Sequence, residues 1–242
     1  MPPRKPFEPF PHGDPRNLYH EFSPSRRKEE RKRLPPIHPW HPLIPSTERR
    51  IKRFTLNLRE LSEKKARVLD VGSSTDDFIY RLIERSNGNI HGTAIDAKLP
   101  EGFSEAYPEI YLKKTFTEFH SGHSKKESEK FDLIIANQSL PLYSESRQAK
   151  AADVLKMLEL TAVNGEVKFY PAEPLFELGK GAYDEQRIFR EIIGAGFEVK
   201  IFDDPLQIIS SSGKILRVAS IKRTEKADLK KLEDSLRAAG FI

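Results

Sequence analysis

No cysteine occurs among the 242 residues. A disulfide framework, a thiol nucleophile and a zinc–thiolate centre are therefore excluded, and a reducing compartment, the cytoplasm, is the expected home. Long apolar runs are missing as well. None approaches the roughly 20 residues that a membrane-spanning helix needs, and the mean hydropathy is −0.59; no membrane partner is expected. The opening residues, MPPRKPFEPFPHGD, hold no apolar stretch, break at proline every few positions and mix acids with bases. Neither a signal peptide nor an amphipathic transit helix is expected there.

What the chain does have is unevenly placed. Residues 1–53 hold 13 Lys/Arg against 6 Asp/Glu, so the formal net charge of +5 belongs to this segment, and the remainder is slightly acidic. Twelve of the 18 prolines precede Ser46. So apolar-poor a stretch cannot bury enough surface to offset its ordering entropy. Residues 1–45 are therefore read as an extended, basic arm that docks, if at all, through Ile37, Trp40 and Leu43. Its cluster Arg26, Arg27, Lys28, Arg31, Lys32 and Arg33 has two readings, a track for a nucleic-acid backbone or a solvated linker. The His38/His41 pair is flanked by proline and has no acidic partner nearby, and His120 and His123 sit in a polar loop, so no metal site is expected.

From Ser46 onward, strands alternate with helices. Ser46 or Thr47 suits a helix N-terminus, and Ile51, Phe54, Leu58 and Leu61 form its apolar stripe. RVLDV (67–71) reads as a buried strand, GSSTDD as a turn, and Phe78, Ile79, Leu82 and Ile83 as one face of a helix closed by Gly88. IHGTAID gives a second strand ending at Asp96, and a short strand is expected near 110–112. FDLIIAN (131–137) is the most apolar strand, followed by a helix over 146–160. The strand GEVKFYP (165–171), a helix near 188–193, FEVKIF (197–202) and KILRVASIK (214–222) complete the body. A short amphipathic helix closes the chain, with Leu229, Leu232 and Leu236 on one face. Such alternation implies a mostly parallel sheet covered on both sides, with ligands bound beyond the carboxyl ends of the strands. Attention falls on Gly72, Asp96 and Asn137, each just past or at a strand end.

At these positions the chain resembles the class I S-adenosylmethionine-dependent methyltransferases, over roughly 67–222. The family's acidic-x-Gly-x-Gly-x-Gly turn reads here Asp70-Val71-Gly72-Ser73-Ser74-Thr75-Asp76. The second strand ends in an acid, Asp96, as the family's does. FDLIIANQSL resembles the fourth strand, LELTAVNGEVKFYP the helix, turn and fifth strand, and FREIIGAGFEVKIF the last helix and the turn after it. The resemblance implies a Rossmann-like, doubly wound α/β fold with a mostly parallel seven-stranded sheet and helices on both faces. It also implies three regions: the arm 1–45, a methyltransferase-like domain over 46–222, and the helical tail 223–242. The implied cofactor is S-adenosyl-L-methionine, contacted by Asp70, Gly72, Ser73, Ser74, Asp96 and Asn137, with Asp96 on the ribose hydroxyls.

Physical reasons stand beside the resemblance. Glycine at 72 permits close approach and a sharp turn into a helix, whose N-terminus favours a carboxylate. The chain departs from the family pattern where Ser74 and Asp76 replace glycines, and where Thr115-Phe116-Thr117 stands in place of the acid that many members carry after the third strand. Asp76 or Asp77 suits the helix cap. A nicotinamide fingerprint matches at Gly72 alone. The Asn-Pro-Pro-aromatic signature of base-amino methylation is absent, since Gln138-Ser139-Leu140 follows Asn137. Glu173 and Tyr143 lie at the edge where an acceptor would enter. Three functions follow: methyl transfer to a small molecule or undefined acceptor, a catalytically inactive binding or scaffold module, or an RNA-directed enzyme that uses the arm.

Overall fold

The two most apolar runs, Arg67–Val71 (β1) and Phe131–Asn137 (β4), pair in parallel at the centre of a seven-stranded sheet of order β3-β2-β1-β4-β5-β7-β6. The computed structural model describes residues 46–73, 77–99, 104–105, 107–123, 126–177, 187–210 and 213–242. The arm, Ser74 and Asp76 lie outside them. The other strands are His91–Ile95 (β2), Tyr111–Leu112 (β3), Thr161–Tyr170 (β5), Glu198–Asp203 (β6) and Arg217–Lys222 (β7). Strands β1 to β5 are parallel, and β7 runs antiparallel between β5 and β6. This is the expected Rossmann-like, doubly wound arrangement with one reversed strand. Its strand order reverses between β1 and β4, which opens a crevice at their carboxyl ends.

The continuous apolar character of β4 follows from its burial on both faces. Leu133 and Ile135 enter one core layer, while Ile134 and Ala136 enter the other. One layer packs under Ser46–Arg53 (α1), Leu58–Glu63 (α2) and Phe78–Arg85 (α3), through Phe54, Phe78 and Ile79 among others. The other lies under Phe116–Gly122 (α4), Arg147–Leu160 (α5), Arg187–Gly194 (α7) and Leu229–Ala238 (α8). A short helix, Glu173–Glu177 (α6), follows β5. Leu232, Leu236 and Phe241 of the C-terminal stretch belong to the second layer's core. No described helix is long and apolar enough to cross a membrane.

Two details differ from the sequence reading. The stripe from Ile51 to Leu61 is split into two helices, because Thr55 adopts a left-handed conformation and the Asn57 side chain caps α2 by accepting from the Glu60 amide. The turn that the resemblance implies within LELTAVNGEVKFYP falls at Asn164-Gly165 and is a bulge within β5, which begins directly after α5. The β4–β5 register jumps between Phe131 and Leu133, and Asn164, at φ 65°, donates its amide to the Arg223 carbonyl at 2.7 Å.

Helix α3 lies close on β2, and Gly92 marks the contact: a β-carbon there would overlap the Ile79 side chain. Gly92→Ala is expected to cost about 1–3 kcal/mol through overpacking. Gly194→Ala, at an open helix-terminal position, should be neutral or stabilise by about 0.5 kcal/mol. Urea unfolding midpoints of the two variants check the contrast.

Candidate functional site

A cavity of about 610 Å³ opens beyond the carboxyl ends of β1, β2 and β4. Asp96 follows β2 and lines it, half-buried, with Oδ1 accepting from the Lys98 amide at 2.7 Å. That local bond is an aspartate turn which holds the backbone as it leaves the strand. Gly72 also lines the cavity. Its φ of 71° suits glycine, and its α-carbon is packed so closely on Ser139 that a β-carbon would overlap that side chain. The amides of Gly72 and Ser73 both donate to the Ile95 carbonyl, at 2.8 and 3.2 Å, which fastens the turn after β1 to the end of β2. Ser73 itself is buried and is not among the lining residues.

The rest of the lining comes from the segment after β4 and from α4 and α5. Gln138, left-handed at φ 51°, donates its amide to the Tyr170 carbonyl at 2.5 Å, and Ser139 Oγ donates to the Val71 carbonyl at 2.5 Å. These bonds fix the loop across β1, β4 and β5. Leu140, Phe116 and Asp153 line the cavity beyond it. Asp153 is buried on α5 and accepts from Ser144 Oγ at 2.6 Å. Burial raises its carboxyl above the usual range, against the opposing Ser144 hydrogen bond and the Lys156 charge. Glu118 does not line the cavity; it is exposed and closes a capping box with Thr115 at the start of α4.

Two expected cofactor contacts are engaged elsewhere. Asp70 is buried and paired with Arg50, whose guanidinium lies 4.0 Å from the Phe78 ring centre. Asn137 Oδ1 accepts from Arg53 Nη1 at 3.1 Å, and the same guanidinium donates to Asp204 at 3.1 Å and stacks on Tyr170. Neither Asp70 nor Asn137 is among the cavity-lining residues. Burial raises the Tyr170 phenol well above its ordinary range, with Arg53 opposing and Asp204 reinforcing the shift. This hydroxyl stays protonated at neutral pH. Asp77 does not cap α3 with its side chain; it receives Arg81 Nε at 3.1 Å and Thr47 Oγ1 at 3.5 Å.

The structure thus places Gly72 and Asp96 on the cavity and Asp70, Ser73 and Asn137 outside it. Tyr143, 71 % exposed, lies at its rim, whereas Glu173 is tied to Arg217 at 3.3 Å. Phe116, Leu140 and Asp153 went unread in the sequence as site residues. Only their positions after strand ends or on a helix could have suggested them.

No protein-family model matches the chain, and no curated protein matches it. Solved structures do. The plantazolicin methyltransferase BpumL, in complex with a pentazolic desmethylPZN analogue and SAH, is 12% identical over 87% of this chain and 96% of its own, with a TM-score of 0.51. The N-methyltransferase NodS from Bradyrhizobium japonicum WM9 is 16% identical over 73% of this chain and 96% of its own, with a TM-score of 0.45. The chain has the class I methyltransferase fold.

Two outcomes are expected from this geometry. Arg53→Met leaves buried Asp204 without its cation and should cost about 3–5 kcal/mol, most of which returns in Arg53→Met/Asp204→Asn; urea unfolding measures both. Asp153→Asn should raise the melting temperature of the ligand-free chain at neutral pH. The folded carboxyl holds its proton to higher pH than the unfolded one, so its burial cost is full above the folded pKa and absent below about pH 4. The gap between variant and wild type should therefore close as the pH falls.

Proposed function

We propose that the protein transfers a methyl group from S-adenosyl-L-methionine to a small molecule or another acceptor nucleophile. One observation carries the reading: at the switch point of a class I methyltransferase fold, a cavity is lined by the carboxylate that follows β2 and by the apolar side chains Phe116 and Leu140. A carboxylate at that position suits a ribose diol, and flat apolar walls suit a base.

These residues fit the adenosyl half of the cofactor. Asp96 would receive the ribose hydroxyls, Phe116 and Leu140 would flank the base, and Val71 and Gly72 would form the wall beside the aliphatic chain. When bound, the cofactor supplies a methyl group activated by its sulfonium leaving group. The chain's own contribution is then positioning and exclusion of water rather than bond activation. Gln138 and Tyr143, also on the cavity, border the direction from which an acceptor approaches.

A second reading, a methyltransferase-like binding module without catalysis, is favoured by a different observation. Asp70 and Asn137 are held by arginines, and the Gly72 and Ser73 amides by a carbonyl. The groups that would meet the methionine end are thereby committed to internal bonds.

Thermal unfolding with S-adenosylhomocysteine tests the cofactor site. Ligand at about 100 times its dissociation constant adds roughly 2.7 kcal/mol, a rise of several degrees for a chain of this size. Asp96→Ala should abolish the shift while leaving the ligand-free melting temperature nearly unchanged. No shift at millimolar ligand would contradict the proposal. Transfer of label from the methyl donor to a candidate acceptor then separates enzyme from binding module.

A further inference from the structure

The sheet ends on β6. Among the described residues no strand lies against its outer edge, so the backbone amides and carbonyls there offer a template for another strand. Brevity, proline and bulges are devices that usually blunt such an edge. Glu198–Asp203 has none of them: its six residues pair with β7 in continuous register, from Glu198↔Lys222 to Asp203↔Arg217. A regular open edge of this length can take a second strand over several residues.

The two faces of β6 differ. Val199 packs with the core layer under α7, and Phe202 with the opposite layer. Side chains alternate along a strand, so Phe197, Val199 and Ile201 face α7 while Glu198 and Lys200 face away. Ile201 is 36 % exposed although it lies on the apolar face, and Ile193 of α7 is 54 % exposed. On that helix Glu191 accepts from Ser235 Oγ of α8 at 3.0 Å, and Ile188 and Ile192 enter the core. At about 100° per residue, Ile193 falls on the flank away from α8, toward the open edge. Only residues 195–197 separate α7 from β6, so Ile193 stands by the first residues of the strand.

We propose that β6 pairs with β6 of a second copy of this chain, antiparallel about a two-fold axis at Val199, joining the two sheets into one. The run Glu198-Val199-Lys200 is self-complementary about that point. Turned round, it sets Glu198 opposite Lys200 of the other copy, twice, on the polar face. On the apolar face it sets Ile201 beside Phe197 of the other copy, where the exposed Ile193 also stands. Opposite charges directly across a strand pair attract, and like charges there repel. Neighbouring two-fold registers lack this match: an axis at Lys200 opposes two lysines, and one at Ile201 sets Val199 against Asp203. Neither Glu198 nor Lys200 closes an ion pair with a described residue, although Lys222 stands opposite Glu198 on β7. Strands β5 and β7 separate β6 from the strands that carry the cavity, so the contact leaves the cofactor reading untouched.

Sedimentation equilibrium of the full chain, over micromolar to millimolar concentrations, tests the contact. Wild type is expected to show a monomer–dimer equilibrium. Lys200→Glu and Glu198→Lys each turn two attractive pairs into repulsive ones and should weaken dimerisation about tenfold or more. The charge exchange Glu198→Lys/Lys200→Glu should bring the dissociation constant back to within a few-fold of wild type. Both positions are exposed, and melting temperatures report that each variant is folded. Monomer at every concentration would overturn the proposal. So would a dimer that the single variants leave unchanged, or one that the exchange fails to restore.

Discussion

Arg50 and Arg53 leave α1 one turn apart, and each enters a buried pair at the front edge of the sheet. Arg50 meets Asp70 of β1, and Arg53 joins Asn137 at the end of β4 to Asp204 beyond β6. Lys168 of β5 completes the attachment by donating to the Phe54 carbonyl at the end of α1, at 2.8 Å. Four regions of the sheet are thereby joined through one eight-residue helix. Buried pairs of this kind seldom add much net stability, but they are costly to break one-sidedly, so they fix position. Aromatic faces complete the desolvation: Phe78 under Arg50 and Tyr170 under Arg53.

The seat of α1 divides the crevice. On the β4–β5 side the strand ends are covered by the Arg53 guanidinium, which is matched by Asp204. On the β1–β2 side, and past the loop after β4, the cavity stays open to a ligand. Its polar lining is mixed: the half-exposed Asp96 and the buried Asp153 stand with Lys98, Lys114, Gln138 and Ser139. The loop 138–140 keeps the two sides apart by hydrogen bonds to β1 and β5 rather than by bulk.

Much of the fold was legible because strand burial writes itself into composition. RVLDV and FDLIIAN need apolar residues on both faces, and α3 between them repeats at helical spacing; α4 was not foreseen, and its His120 was read as part of a polar loop. Gly72 and Asp96 were legible for the same reason, since a residue that ends a central parallel strand necessarily reaches the crevice. Asp70 and Asn137 also sit where strand geometry requires, but their partners were not foreseeable. The arginines that take them come from a helix some 20 and 80 residues away, and no local pattern announces such a pairing. Asp153 was illegible for a related reason. One acid on a helix reads as a solvated position until the tertiary fold turns it inward toward Ser144. The turn expected ahead of the fifth strand is instead a bulge inside it. β5 pairs with β4 before and after this point and with β7 after it, so the irregularity is absorbed within the strand.

The central claim is that the open cavity, and not the arginine-covered side of the crevice, receives an adenosyl ligand. Hydrogen–deuterium exchange with and without S-adenosylhomocysteine tests this most directly. Protection is expected in peptides covering 95–98, 114–117 and 138–144, with α1 at 46–53 unchanged. Absence of protection in those segments at saturating ligand, or protection confined to α1 and the end of β5, would contradict the account.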